Sequence, residues 1–296
     1  MNRILSSLAL VAALALVACG APRASTPTRD LPSCEGVPAQ SDSSAPHETW
    51  VAAFDRTTSY PPGVREAGQR ELADFVDGLV RPGAGATVHI LLIARNSYNP
   101  ANSLPTIVVP PVMPVKSPGA PPTPPKNKFD QREKKRYDEA LASWCSAQRA
   151  DAARLERDLA AAAEQVRART DALRSYRVPH EAGSDFGSVV LRAAERFANA
   201  PAGSRRVLLW YSDMEPYAGQ GRALDNLPPL TGVEVIVSHW HCASPAICQL
   251  LRGAWEERLA AAGAASLRWY AVGEPVPTEV LLGERSSPAS RSAGHR

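Results

Sequence analysis

The sequence predicts an α/β domain: a doubly wound, mostly parallel central sheet, Rossmann-like in its layering, with helices on both faces and a long helical insertion. Three observations carry this. Runs at Thr49 to Phe54, Thr87 to Ala94 and Arg205 to Tyr211 are apolar at most positions, the pattern of strands buried on both faces. Segments with apolar residues three and four apart lie between them, the alternation from which parallel sheets are built. From about Asn127 to Tyr176 the composition changes to Ala, Arg, Glu and Lys, which marks helix rather than strand.

The elements follow in order. After the first strand, Pro61-Pro62-Gly63 turns the chain. Val64, Gly68, Leu72, Phe75, Val76 and Leu79 then form a helical stripe that Arg81-Pro82-Gly83 ends. Thr106 to Val109 reads as a short edge strand, and Pro110 to Pro125 as an extended loop, since proline supports neither a ladder nor a helix interior. In the Ala/Arg/Glu/Lys segment Tyr137, Leu141, Trp144, Leu155, Leu159, Val166 and Leu173 fall roughly on one stripe. A single helix of that extent would be roughly 70 Å long at 1.5 Å per residue, more than a compact sheet domain covers. It therefore either breaks near Trp144-Cys145 or projects as an arm. A charged helix packing one stripe is favoured over a coiled-coil partner surface, because Gln148 and Asp151 interrupt the stripe. Phe186, Val189, Val190, Ala193, Ala194 and Phe197 make a clean amphipathic helix. Gly232 to Ser238 is the next strand, Ile247 to Leu259 a further helix, and Leu267 to Val272 the last strand.

The N-terminus carries a targeting signal. Arg3 precedes an apolar run from Ile4 to Ala18, which is short for a membrane span and ends Leu16-Val17-Ala18-Cys19-Gly20. This resembles a bacterial lipoprotein signal, which implies cleavage before Cys19, lipidation of that residue and a location on the bacterial cell envelope, facing the periplasm or the exterior. The expected organisation is a signal peptide at 1–18 and a Ser/Pro/Ala-rich tether at 19–48. A domain at 49–273 follows, interrupted by the insertion at about 100–178, and then a tail at 274–296. Four further cysteines in an oxidising compartment are disulfide candidates. Three pairings are possible; Cys242 and Cys248 are near enough to pair locally, which leaves Cys34 with Cys145. A net charge of +3, with no dense basic patch interleaved with aromatics, argues against nucleic acid as a partner.

The candidate site begins where the first strand ends. Asp55, Thr57 and Ser59 put one carboxylate and two hydroxyls at alternate positions, an oxygen-only set suited to a hard divalent cation. Gly183-Ser184-Asp185 precedes the amphipathic helix, and the apolar run Leu208 to Tyr211 leads through Ser212 to Asp213. These three motifs, in this order, resemble the metal-ion-dependent adhesion site of the von Willebrand factor type A family, with Thr57 for the usual first Ser and Ser184 for the usual Thr. The resemblance implies that Asp55, Thr57, Ser59, Ser184 and Asp213 hold Mg²⁺, or alternatively Mn²⁺ or Ca²⁺. It also implies that an acidic residue of a protein partner completes the shell. Arg56 is compatible with this only if its side chain turns away. His239 and His241 share a face at the end of the fourth core strand, but a soft-metal site there lacks further ligands at zinc spacing apart from Cys248.

The reading is thus a membrane-anchored lipoprotein that binds a protein through a cation. The alternatives are a metal-free structural or interaction lipoprotein that uses the long helix, and an envelope hydrolase. The last has no motif to rest on: neither a Gly-x-Ser-x-Gly elbow nor a phosphate-binding loop is present, and the expectation is a non-enzyme. Replacing Cys19 with Ser should release or mislocalise the protein. Full membrane partitioning of that variant, with no acyl mass on the wild type, would overturn the lipid anchor.

Overall fold

The computed structural model describes residue 34 and residues 47–114, 119–127, 129–216 and 224–283. Cys19, the segment read as a signal peptide, most of that read as a tether and the end of that read as a tail lie outside the described residues. No helix among the described residues is long and apolar enough to cross a membrane.

Six strands form one sheet: β1 (Glu48–Asp55), β2 (Ala86–Ile93), β3 (Ser103–Val109), β4 (Arg205–Tyr211), β5 (Val233–Trp240) and β6 (Ser266–Ala271). Their spatial order is β3-β2-β1-β4-β5-β6, with only β3 antiparallel. The order reverses at β1, which pairs in parallel with β2 on one side and β4 on the other. This is the expected doubly wound α/β fold, and it places the site-bearing loops at the carboxyl ends of neighbouring strands.

Alternation along β1 feeds two cores. Trp50, Ala52 and Phe54 face α1 (Pro62–Gly78), while Val51 and Ala53 face the layer of α3 (Phe186–Ala198) and α4 (Pro245–Ala261). Every residue of β1 is buried, which explains its unbroken apolar reading. On the first face Phe54 stacks on Tyr211 with ring centroids 4.6 Å apart. On the second, Trp210, Trp255 and Phe186 pack edge to face at 5.3 to 6.3 Å. Gly68 of α1 lies where any Cβ would meet the Tyr211 ring at 2.5 Å, so the helix approaches the sheet only because this residue has no side chain.

The long helix α2 (Gln131–Ser175) is continuous through Trp144-Cys145. Asp130 caps it, accepting from the backbone N–H groups of Arg132 and Glu133. At 45 residues it is about 67 Å long. Only its last third joins the core: Ala162, Val166, Thr170 and Leu173 are buried there. Arg177 pairs with Glu66, the Gln69 side chain donates to the Tyr176 carbonyl, and Arg174 bridges Asp74 and Asp77. The partners advance along α1 as they recede along α2, so the two helices are antiparallel. The first two-thirds of α2 therefore run past the C-terminal end of α1, toward the sheet edge opposite the site. Trp144 donates to the Gly119 carbonyl, laying the proline-rich loop on this arm. The Cys34–Cys145 disulfide fastens the segment before the domain to the same helix.

Two features differ from the sequence reading. β3 lies within the stretch read as insertion at about 100–178, yet it completes the sheet edge against β2. Its surface positions Pro105, Thr106 and Val108 are exposed, which is why only its end reads as strand. The stretch read as the start of the tail contains a short helix, α5 (Thr278–Leu281), whose last two carbonyls accept from Arg205.

Because α2 closes one face of the core, excision of the whole insertion would uncover α1. Leu173→Ala should cost about 2–4 kcal/mol, as for other fully buried leucines. Leu155→Ala, on the half-buried arm, should cost under about 1 kcal/mol. Urea unfolding of the two variants measures the difference. Equal losses would place the arm in the core.

Candidate metal centre

Asp55 is the last residue of β1 and is fully buried. Its Oδ1 accepts from the Thr57 backbone N–H at 2.8 Å and from the Thr57 hydroxyl at 2.6 Å. Its Oδ2 accepts from the Ser212 hydroxyl at 2.6 Å. The Thr57 and Ser59 hydroxyls lie 3.1 Å apart. Three hydroxyls thus surround one carboxylate, two of them donating to it. The loop is braced from below by Arg65, which donates to the carbonyls of Thr57 and Tyr60.

Asp213 follows Ser212 at the end of β4, buried, with Oδ1 accepting from the Glu215 backbone N–H. Burial and then the charge of Asp213 raise the Asp55 carboxyl, the Ser212 and Thr57 hydrogen bonds only partly offset this, and the net value is about 6. The third loop is docked on β2: the Asp185 N–H donates to the Ala94 carbonyl at 2.8 Å. The Asp185 carboxylate caps α3 by accepting from the Ser188 N–H at 3.1 Å. Gly183 supports the turn with φ +97°, a conformation that favours glycine. Ser184 is buried between these two positions. Asp55, Thr57 and Ser59 are therefore joined by hydrogen bonds and Asp213 by charge. Ser184 sits on the adjoining loop, with no hydrogen bond to the other four among the described residues.

Arg56 turns away, pairing with Glu181 at 2.5 Å and donating to Asn102 at 2.9 Å. It anchors the connection leading to Ser184, because the Glu181 N–H donates to the Arg56 carbonyl. The residue that sequence reasoning missed is Ser212. It satisfies an Asp55 oxygen directly, and its only sequence signal is its place between the strand and Asp213.

The oxygen set fits a hard cation. Asp55 is a buried carboxylate beside a second carboxylate, and the Thr57 and Ser212 hydroxyls answer its charge only in part. No group of three or more His, Cys, Asp or Glu side chains able to hold a metal occurs among the described residues. A cation here would rest on two carboxylates and the hydroxyls of Thr57, Ser59 and Ser184. His239 and His241 are not a second centre. His239 faces Ser238 at 3.0 Å and Glu71 at 3.8 Å, and the His241 ring packs 5.7 Å from Tyr60. Cys242 pairs with Cys248 across the start of α4, as its spacing suggests.

The Asp55 carboxyl sets a pH dependence. With a folded value raised from 3.8 to about 6, the cost of its charge is absent below about pH 4, grows through that window and is complete above it. The shift corresponds to about 3 kcal/mol. In EDTA at pH 7.5, Asp55→Asn should therefore raise the melting temperature, and the gain should shrink to about a third at pH 4.5. A destabilised variant at both pH values would show that the charge is not a cost.

No protein-family model matches the chain, and no curated protein does. Among solved structures, a von Willebrand factor type A protein from Catenulispora acidiphila matches at 12% identity and TM-score 0.32, covering 81% of this chain and 41% of that one. The SpaC pilus adhesin of Lactobacillus rhamnosus GG, in an open conformation, matches at 10% identity and TM-score 0.40, covering 82% and 29%. The chain thus spans less than half the length of either. Strand order, antiparallel edge and the three loops at the carboxyl ends of the strands make the chain a doubly wound α/β domain with a long helical insertion.

Proposed function

We propose that this protein is a lipid-anchored binding module of the bacterial envelope, which captures a protein partner through a divalent cation. The observation that carries the reading is Asp55, a buried carboxylate raised by burial and by Asp213, with hydroxyls close around it. Mg²⁺ is the favoured ion, with Mn²⁺ or Ca²⁺ as alternatives, held by Asp55, Thr57, Ser59, Ser184 and Asp213. Two carboxylates would leave the bound ion a residual positive field. An acidic side chain of the partner would find that field at the sheet edge. Cys19 would supply the membrane attachment. The role is recognition rather than turnover, in keeping with a von Willebrand factor A-like domain and with a sequence that lacks catalytic motifs.

A second reading rests on α2, whose first two-thirds stand largely exposed. In that reading the arm itself is the binding surface and the carboxylate pair stays metal-free.

Calorimetry and thermal shift with Mg²⁺ separate the two. The purified protein should gain about 2.7 kcal/mol of stability at a hundredfold excess over the dissociation constant. Binding should weaken as pH falls through about 6, where Asp55 takes up a proton. Asp55→Asn should abolish heat and shift alike, and partner capture should become insensitive to EDTA or disappear. Absence of heat or shift at millimolar Mg²⁺, Mn²⁺ and Ca²⁺ would leave the metal-free reading.

A further inference from the structure

The far end of α2 combines features that neither the site nor the core uses. Phe129 is 93% exposed, just before the start of α2. Its N–H donates to the Asn127 side chain, the Asp130 N–H donates to the Asn127 carbonyl, and Asp130 then caps the helix. A lone exposed apolar side chain is ordinary on a protein surface, so the ring carries weight only together with the charges around it. Around it the sequence from 126 to 136 holds six Lys or Arg and two Asp or Glu. One of those acids, Asp130, is occupied as the cap. Arg132, Lys135 and Arg136 lie three and four apart, on one exposed face of the helix. Lys126, Arg132 and Arg136 make no ion pair among the described residues.

We propose that this tip, Phe129 with Lys126, Arg132, Lys135 and Arg136, docks on the surface of an anionic lipid bilayer. The aromatic ring would enter the interface while the cations meet the headgroups, a combination in which each basic residue adds to the attraction. Charge complementarity selects this occupant, and two further observations agree. α2 packs antiparallel to α1, so the tip points away from the edge that carries Asp55. The Cys34–Cys145 bond also joins the arm to the segment that follows Cys19. Cys145 is about 21 Å from the start of the helix, and Cys34 is within about 50 Å of Cys19 along the extended chain. If Cys19 carries lipid, the bilayer lies within reach of the tip. This last point alone rests on the anchor, and nothing in the proposal depends on the metal.

Hydrogen exchange on the full chain tests it, using vesicles of phosphatidylcholine alone and vesicles with three parts in ten phosphatidylglycerol. Lipid at Cys19 would hold the protein on both, so flotation on neutral vesicles reports the anchor and exchange at the tip reports docking. Amides from 126 to 136 should exchange about tenfold more slowly on the anionic vesicles than on the neutral ones. The difference should vanish at 0.5 M salt, where the screening length falls to about 4 Å. Phe129→Ser, and separately the triple variant R132Q/K135Q/R136Q, should lose most of the protection while exchange in the sheet stays as in the wild type. Equal exchange on both vesicles would overturn the proposal. So would protection that appears without lipid and grows with protein concentration, which would assign the tip to a second copy of the chain.

Discussion

Strand β1 is paired along its length with β2 on one side and with β4 on the other, and both of its faces are covered by helices. Asp55, its last residue, is paired with Ile93 of β2 and directly follows Phe54, which is held in both ladders. The carboxylate is therefore held at a fixed point in a dry setting, and everything around it answers that constraint. Thr57 curls back to donate twice, Ser212 donates from the neighbouring strand, and Arg65 ties down the carbonyls of the same loop. These dipoles reduce the cost of the buried charge without cancelling it, and the carboxyl remains raised to about 6. A rigid, incompletely compensated acid is what gives the sheet edge its chemical character.

The same rigidity explains which parts of the molecule the sequence reveals. Strands covered on both faces must be apolar at nearly every position, so β1, β2 and β4 stand out, and the residue that follows each run is almost forced to be a loop position. Asp55 and Asp213 are visible for that reason. β3 is harder to read because an edge strand with one solvent face tolerates Pro105 and Thr106. α5 is nearly invisible because four residues carry no periodicity; it is fixed by Arg205 reaching its carbonyls across the sheet. Ser212 is missed for a different reason. A serine next to an acid has no distinctive pattern, and only the spatial pairing of β1 with β4 brings it to Asp55.

The long helix divides in function along its length. Its last third is core, with Val166 and Leu173 facing α1, and the charge network of Arg174 with Asp74, Asp77 and Asp171 seals the rim of that contact. Its remainder is lined by the proline-rich loop rather than by the sheet. This explains why Tyr137, Leu141 and Trp144 belong to an apolar stripe and yet are only half-buried.

The Cys34–Cys145 bond also has a mechanical side. If the proposed anchor and partner pull on opposite ends, then without that bond all the load would enter at the start of the central strand. The disulfide adds a second covalent load path. It runs from residue 34 into α2 a third of the way along, then down the helix into its packing against α1. Tension shared in this way shears a long helix–helix contact lengthwise instead of peeling β1 from its two neighbours one hydrogen bond at a time. Under such a load the most buried strand need not bear the whole pull.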